Sequence, residues 1–126
     1  MLRFLSICLG GAIGTGVRYL VTVAANRAFG QSFPVGTLIV NLVGSFLLGL
    51  IGQLAVRQVI SDEARLFLGT GVMGGLTTYS TFNYETTRFL EDRAFALGAA
   101  NFAATTLGCF LAGLLGMALA RWWKGA

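Results

Sequence analysis

Charged residues divide the chain into four long uncharged stretches, at residues 4–17, 34–56, 66–84 and 94–120. A helix needs about 20 mostly apolar residues to cross the hydrocarbon core of a bilayer, and each stretch reaches that length with its flanks. The pattern therefore predicts an all-α membrane protein with four transmembrane helices in a single domain over residues 1–126. The predicted spans are 2–25, 34–56, 65–88 and 94–121.

The third stretch is unlike a lipid-facing helix, because a glycine pair precedes a run of hydroxyl side chains in GTGVMGGLTTYSTFNYE, residues 69–85. We expect the helix to break at Gly74 and Gly75. In hydrocarbon a break is tolerated only where it is buried in protein or lines a wet cavity. Channels and transporters use the backbone groups freed at such breaks to hold ions. The stretch therefore predicts an ion-handling membrane protein.

Composition supports a membrane protein independently. The chain is 56% hydrophobic and 11% charged, with a mean hydropathy of +0.76, which is too apolar for a small soluble domain. The first stretch lacks a clear small-residue cleavage site, so we expect it to be retained rather than removed as a signal peptide. Histidine is absent from the sequence and no carboxylate cluster lies within a predicted span, so no enzyme is expected. Cys8 and Cys109 fall inside predicted spans, where packing is a simpler role than a disulfide or a metal site.

The connections at 26–33, 57–65 and 88–93 are short, so neighbouring spans should run antiparallel. Orientation in the membrane follows the distribution of lysine and arginine, which is nearly balanced here and therefore allows either orientation or both. One side carries Arg3, Arg57, Arg65, Arg121 and Lys124, and the other carries Arg27, Arg88 and Arg93. These single basic residues at helix ends are typical of interfacial anchors, so we expect a lipid bilayer and no nucleic acid as partner.

Polar residues recur every fourth position in the second span and so form one stripe on a helix. The stripe consists of Thr37, Asn41, Ser45, Gly49 and Gln53. A buried asparagine in hydrocarbon needs a partner for its amide. Asn41 therefore either makes a helix–helix hydrogen bond or presents an N–H donor to a passing anion. Asn101 and Thr105 form a shorter stripe in the fourth span, with the same two interpretations.

A polar strip in the third span would face lipid unless a second copy of the chain covered it, so we expect a dimer. Gly10 and Gly14 have the GxxxG spacing, which allows two helices to approach closely, although it also arises by chance in a chain with 18 glycines. Tyr79 and Phe82 lie on one face of the helix after the expected break. They are either packing residues or a pair whose electropositive ring edges face an anion.

These motifs together resemble the small fluoride channel family, called Fluc or CrcB, from one end of the chain to the other. The matching segments are GGAIGTGVRY at residues 10–19, GTLIVNLVGSFLLG at 36–49 and, most specifically, GGLTTYSTFNYE at 74–85. The resemblance implies an antiparallel, dual-topology homodimer with two fluoride pores. It also implies a structural sodium ion at the dimer centre, held by backbone carbonyls of the broken third helices, here at Gly74 and Thr77.

The resemblance assigns further roles residue by residue. Asn41 would coordinate fluoride, the ring edges of Tyr79 and Phe82 would line the ion pathway, and Ser80 and Thr81 would supply hydroxyl groups along it. Two positions depart from the family, since Tyr79 stands where phenylalanine is usual and Cys109 stands where serine often follows glycine. Arg18 and Glu85 match charged family positions with vestibule or interface roles, and Asn101 is a further candidate for such a role.

The expected function is therefore passive, fluoride-selective export across the plasma membrane, which is the inner membrane of a bacterium, to relieve fluoride toxicity. Two alternatives remain at this stage. A small multidrug transporter needs a membrane-embedded carboxylate, and only Glu85, at the far end of the third span, would serve. A purely structural four-helix subunit would leave the hydroxyl run of the third span without a role.

Overall fold

The structure is a computed structural model that describes residues 1–123, and these residues contain helices and no strand. Residues 124–126 of the predicted domain lie outside the described part. The elements in chain order are α1 (Leu2–Phe29), α2 (Val35–Val56), α3 (Asp62–Arg65), a π-helical segment (Leu66–Met73), α4 (Gly74–Leu76), α5 (Tyr79–Glu91) and α6 (Phe95–Trp122).

Three helices, α1, α2 and α6, are long and apolar enough to cross a membrane. The predicted spans 2–25, 34–56 and 94–121 fall on them. With 28 residues each, α1 and α6 are about 42 Å long at ~1.5 Å per residue, more than the ~30 Å hydrocarbon core, so they tilt or project beyond it. The predicted third span, 65–88, falls on the series of shorter segments from α3 to α5.

The connections are closed by local hydrogen bonds. The first connection begins at Gly30, whose φ of 78° favours glycine, and its N–H donates to the carbonyl of Asn26. Ser61 caps α3 by accepting a hydrogen bond from the N–H of Ala64 at 3.2 Å. The guanidinium Nη1 of Arg57, just after α2, donates to the carbonyl of Ala120 at 2.6 Å. This contact ties the end of α2 to the last turn of α6.

An exposed ion pair joins the start of α1 to α3, with 2.8 Å between Nη2 of Arg3 and Oε1 of Glu63. Backbone hydrogen bonding, and then the Arg3 guanidinium, hold the pKa of Glu63 below its ordinary value. The pair therefore stabilises the fold above the pKa that this carboxyl has in the unfolded chain. That contribution disappears as the pH falls through the lower, folded value. Since both side chains are exposed, the contribution is small.

Glycines allow backbone contact between α1 and the π-helical segment with α4. A Cβ added to Gly10 would lie 2.7 Å from the carbonyl oxygen of Phe67, and one added to Gly14 or Gly75 would overlap backbone atoms of the facing helix. The second closely packed pair is α2 with α6, where Gly49 and Gly116 lie against each other's helix backbones in the same way. The GxxxG spacing of Gly10 and Gly14 is therefore used inside one protomer.

The predicted break at Gly74 and Gly75 is wrong in its position. Both glycines are helical within α4, and the extended residues are Thr77 and Thr78. Gly75 is needed for packing rather than for a turn, because its missing Cβ lets the carbonyl of Gly11 approach from α1. The interruption is instead made by two β-branched residues, which adopt extended backbone readily.

Candidate functional site

Thr77 and Thr78 separate α4 from α5 and hold the two helix ends by side-chain hydrogen bonds. The hydroxyl of Thr77 donates to the carbonyl of Met73 at 2.9 Å, within the last turn of α4. Thr78 caps the start of α5, since its Oγ1 accepts from the N–H of Thr81 at 3.3 Å and donates to the hydroxyl of Thr81 at 3.0 Å. The interruption is thus a defined structure rather than a frayed helix.

Asn41 of α2 grips this interruption with both ends of its amide. Its Nδ2 donates to the carbonyl of Thr78 at 3.0 Å, and its Oδ1 accepts from the N–H of Thr78 at 2.8 Å. Both residues are buried. Asn41 therefore does make a helix–helix hydrogen bond, directed to backbone. Because the amide nitrogen has two hydrogens, one donor remains available beyond this bond.

A cavity of about 290 Å³ lies beside the interruption. Its lining combines amide, hydroxyl, thiol and aromatic side chains from α2, α5, α6 and the interruption: Asn41, Ser45, Thr77, Thr78, Tyr79, Phe82, Thr105, Thr106 and Cys109. Three of the predicted pathway residues, Asn41, Tyr79 and Phe82, meet here. We call this space the central cavity.

Ser80 and Thr81, also predicted for the pathway, do not line the central cavity. They are exposed on α5, and their hydroxyls contact Oγ1 of Thr78 at 3.3 and 3.0 Å. The two hydroxyls therefore lie on the surface of the protomer, next to the cap of α5. A pathway that used both the central cavity and these hydroxyls would have to run around the first turn of α5.

The two aromatic residues are close but differ greatly in exposure. Tyr79 and Phe82 have ring centroids 5.5 Å apart and meet edge to face, while Phe82 lies 6.3 Å from Phe102 of α6. Phe82 is only 4% exposed, whereas Tyr79 is 75% exposed on the protomer surface. Phe82 is thus fixed by packing, and Tyr79 is available to a neighbouring molecule.

A second cavity, of about 380 Å³, lies near the far end of α5 and is lined by Thr37, Glu85, Arg88 and Asp92 among others. The hydroxyl of Thr37 donates to Oε1 of Glu85 at 2.6 Å. Oε2 of Glu85 is buried and has no hydrogen-bond partner among the described residues. The structure thus joins the first residue of the α2 stripe to a predicted vestibule carboxylate.

The two remaining vestibule or interface candidates lie elsewhere. Asn101 of α6 is 1% exposed, and its Nδ2 donates to the hydroxyl of Thr86 at 2.9 Å. Thr86 in turn donates to the carbonyl of Phe82 at 2.8 Å, so Asn101 supports the α5 segment behind the aromatic pair. Arg18 lies partly buried on α1 and is not among the residues that line either cavity.

The backbone carbonyls of Gly74 and Thr77 lie where a helix ends. In an uninterrupted helix they would accept from the N–H groups of Thr78 and Thr81. Those donors go instead to Oδ1 of Asn41 and Oγ1 of Thr78. Gly74 is also exposed, with open space where a side chain would project. Uncharged carbonyl oxygens are hard ligands of the kind that suit an alkali or alkaline-earth cation.

Several cavity residues were absent from the predicted pathway, and each had a usable sequence signal. Ser45 follows Asn41 by four residues in the α2 stripe, and Cys109 follows Thr105 by four residues in α6. Equal four-residue spacing places such side chains on one helix face. Thr78 had the signal of a helix cap, a threonine just before a helical segment.

Gly44 lets α2 approach the interruption at Thr77. A Cβ at Gly44 would overlap Cγ2 of Thr77, and this methyl group cannot rotate away without breaking the hydrogen bond from Thr77 to Met73. We expect Gly44→Ala to lower the free energy of unfolding by roughly 1–3 kcal/mol, the usual cost of overpacking. Thermal unfolding in detergent measures it.

The matched control for Gly44→Ala is a second substitution at the residue it would meet. Thr77→Ser removes Cγ2 and keeps the hydroxyl, so the double variant Gly44→Ala, Thr77→Ser should recover most of the lost stability. If the two substitutions simply add, the methyl contact does not set the approach of α2.

Long apolar helices and a polar-lined cavity beside an interrupted helix define a multi-pass membrane protein of the channel or transporter class. Residues 5–117 match the family described as CrcB-like protein, Camphor Resistance (CrcB). The chain belongs to this family.

Related proteins match over nearly the whole chain. One from Anaeromyxobacter dehalogenans (strain 2CP-1 / ATCC BAA-258), named fluoride-specific ion channel FluC, is 50% identical over 126 residues, covering 99% of this chain and 100% of its own length. Proteins with the same name from Sorangium cellulosum (strain So ce56) and Geobacter metallireducens (strain ATCC 53774 / DSM 7210 / GS-15) are 52% and 46% identical. Each covers 96% of this chain and, respectively, 96% and 98% of its own length.

Proposed function

We propose that this protein is a fluoride-selective channel of the plasma membrane, which lets fluoride leave the cell passively and so relieves fluoride toxicity. The observation that carries the proposal is the full-length similarity, at about half of all positions, to proteins named as fluoride-specific ion channels. The central cavity supports it, because Asn41, Phe82 and several hydroxyl residues converge there within an otherwise apolar helical protein.

A small anion loses its hydration when it enters a narrow pathway, so the pathway must replace the lost water contacts. The central cavity offers donors suited to this task. They are the remaining N–H of Asn41, the electropositive ring edge of Phe82 and the hydroxyls of Ser45, Thr105 and Thr106. Because these donors are uncharged, the pathway would not trap the anion as a buried lysine or arginine would.

A structural sodium ion is proposed at the carbonyls of Gly74 and Thr77. The residues fit such an ion, because the helix does not use these two acceptors and Gly74 opens to the protomer surface. One protomer offers few ligands, so a second copy would have to supply the rest. When bound, the cation would offset part of the electrostatic cost of an anion at membrane depth.

The proposed assembly is an antiparallel homodimer. An exposed polar and aromatic face on α5 supports it, formed by Tyr79, Ser80, Thr81, Asn83, Tyr84 and Thr87. If the segments from α3 to α5 form the third of four spans, this face lies in hydrocarbon unless a second copy covers it. The nearly balanced basic residues at the helix ends are compatible with insertion in both orientations.

Purified protein reconstituted in liposomes should release fluoride rapidly and retain chloride when potassium is made permeable. Removing sodium should lower the fluoride rate if the proposed cation holds the dimer together. An ion-selective electrode measures both anions. Equal release of chloride would contradict selectivity, and no release of either ion from a folded dimer would contradict a channel and favour a structural subunit. No feature of the structure favours the multidrug-transporter alternative.

A further inference from the structure

Cys109 and Thr105 lie one turn apart on α6, and both line the central cavity. Cys109 is a free thiol of intermediate exposure. Thr105 is only 7% exposed, and its Oγ1 is buried without a hydrogen-bond partner among the described residues. A thiol and an orphaned hydroxyl therefore share one enclosed space.

The orphaned hydroxyl of Thr105 indicates that the central cavity holds a polar species. Leaving a buried hydroxyl unsatisfied costs about 1–3 kcal/mol, which a water or a small solute in the cavity would recover. At about 290 Å³ the cavity has room for several waters, since each needs roughly 30 Å³. A wet cavity gives small dissolved molecules access to the Cys109 thiol.

We propose that Cys109 is a covalent modification site inside the central cavity, open to small neutral sulfenylating reagents that form a mixed disulfide with its sulfur. The thiolate is the reacting form, and water in the cavity allows the thiol to release its proton. With methyl methanethiosulfonate, the Cys109 sulfur attacks the sulfenyl sulfur of the reagent. A disulfide to the methylthio group forms, the bond to the sulfonyl sulfur breaks, and methanesulfinate leaves with the electron pair.

Modification at this position should block conduction. The added methylthio group would occupy the cavity that Asn41, Phe82 and Thr105 also line, and would fill space an ion needs. This consequence rests on the proposed function, whereas the modification itself does not. The chain contains one other cysteine, Cys8, which lies exposed on α1 away from the cavity and serves as the internal comparison.

The experiment uses two single-cysteine variants of the full chain in liposomes. Cys8→Ser keeps only Cys109, and Cys109→Ser keeps only Cys8. Each is treated with methyl methanethiosulfonate, and the intact mass and the fluoride efflux are measured before treatment, after it, and after reduction with dithiothreitol. For Cys8→Ser we expect one added methylthio group and at least a tenfold loss of efflux, both reversed by reduction. For Cys109→Ser, efflux should not respond to the reagent.

Three results would overturn the proposal. They are an unmodified Cys109 in the folded Cys8→Ser variant, full efflux after complete modification of Cys109, and an equal loss of efflux in Cys109→Ser. If the untreated Cys8→Ser variant conducts no fluoride, the proposed function fails by itself. The mass measurement then decides the modification site alone, because a methylthio group on Cys109 needs only an accessible thiol.

Discussion

Asn41→Leu is expected to lower fluoride efflux at least tenfold and to destabilise the protein by roughly 2–6 kcal/mol. Leucine is similar in size to asparagine but leaves the N–H and the carbonyl of Thr78 without partners, at about 1–3 kcal/mol for each buried group. It also removes the remaining N–H donor from the central cavity. Efflux from liposomes and thermal unfolding in detergent measure the two effects separately.

The control for this substitution is Gln53→Leu, three turns further along the same polar stripe of α2. It removes an amide from the same helix, but the hydrogen bonds among the described residues do not include the Gln53 side chain. Stability and efflux should change little. An Asn41→Leu protein that conducts at the normal rate would contradict any role of Asn41 in the pathway, even if it unfolds more easily.

The structure changes how the role of Asn41 is understood. A conduction defect alone would not distinguish loss of an anion ligand from collapse of the interruption, because the same amide holds Thr78 in place. The stability measurement makes that distinction. If efflux falls far more than stability does, the free N–H acts on the ion. If both fall together, the principal role of Asn41 is to shape the interruption.

Residue periodicity was sufficient to predict the main features of the candidate site. The four-residue stripe placed Asn41 on an inward face, and the i, i+3 spacing placed Tyr79 and Phe82 side by side, because helix geometry alone fixes which side chains share a face. The three long apolar helices followed equally directly from the spacing of charges. These are local properties, and a single sequence carries them.

What depends on contacts between helices was harder to predict. Gly74 and Gly75 suggested a break, but backbone packing against α1 requires glycine at 75 as well, and sequence does not separate the two uses. The interruption occurs at Thr77 and Thr78 because Asn41, 37 residues before Thr78, accepts the N–H that would have continued the helix. A hydrogen bond between residues so far apart leaves no periodic signal in either helix.

Gly14→Ala is expected to disrupt the packing of α1 against the π-helical segment and α4. A Cβ at Gly14 would overlap the carbonyl oxygen of Val72 and lie 2.8 Å from the backbone nitrogen of Leu76, and neither backbone atom can move aside as a flexible side chain could. Overpacking typically costs 1–3 kcal/mol, and contact with backbone puts this variant at about 3 kcal/mol or more. Since Leu76 directly precedes the interruption, efflux should fall as well.

Gly16→Ala provides the control on the same helix, because no atom lies within 4 Å of the added Cβ and alanine favours the helix over glycine by about 1 kcal/mol. It should leave unfolding unchanged or raise its temperature. The two variants differ from the parent by the same single methyl group, so any difference between them reports the space available at each site. A Gly14→Ala protein as stable as Gly16→Ala would mean that α1 does not lie in backbone contact with the segment that carries the interruption.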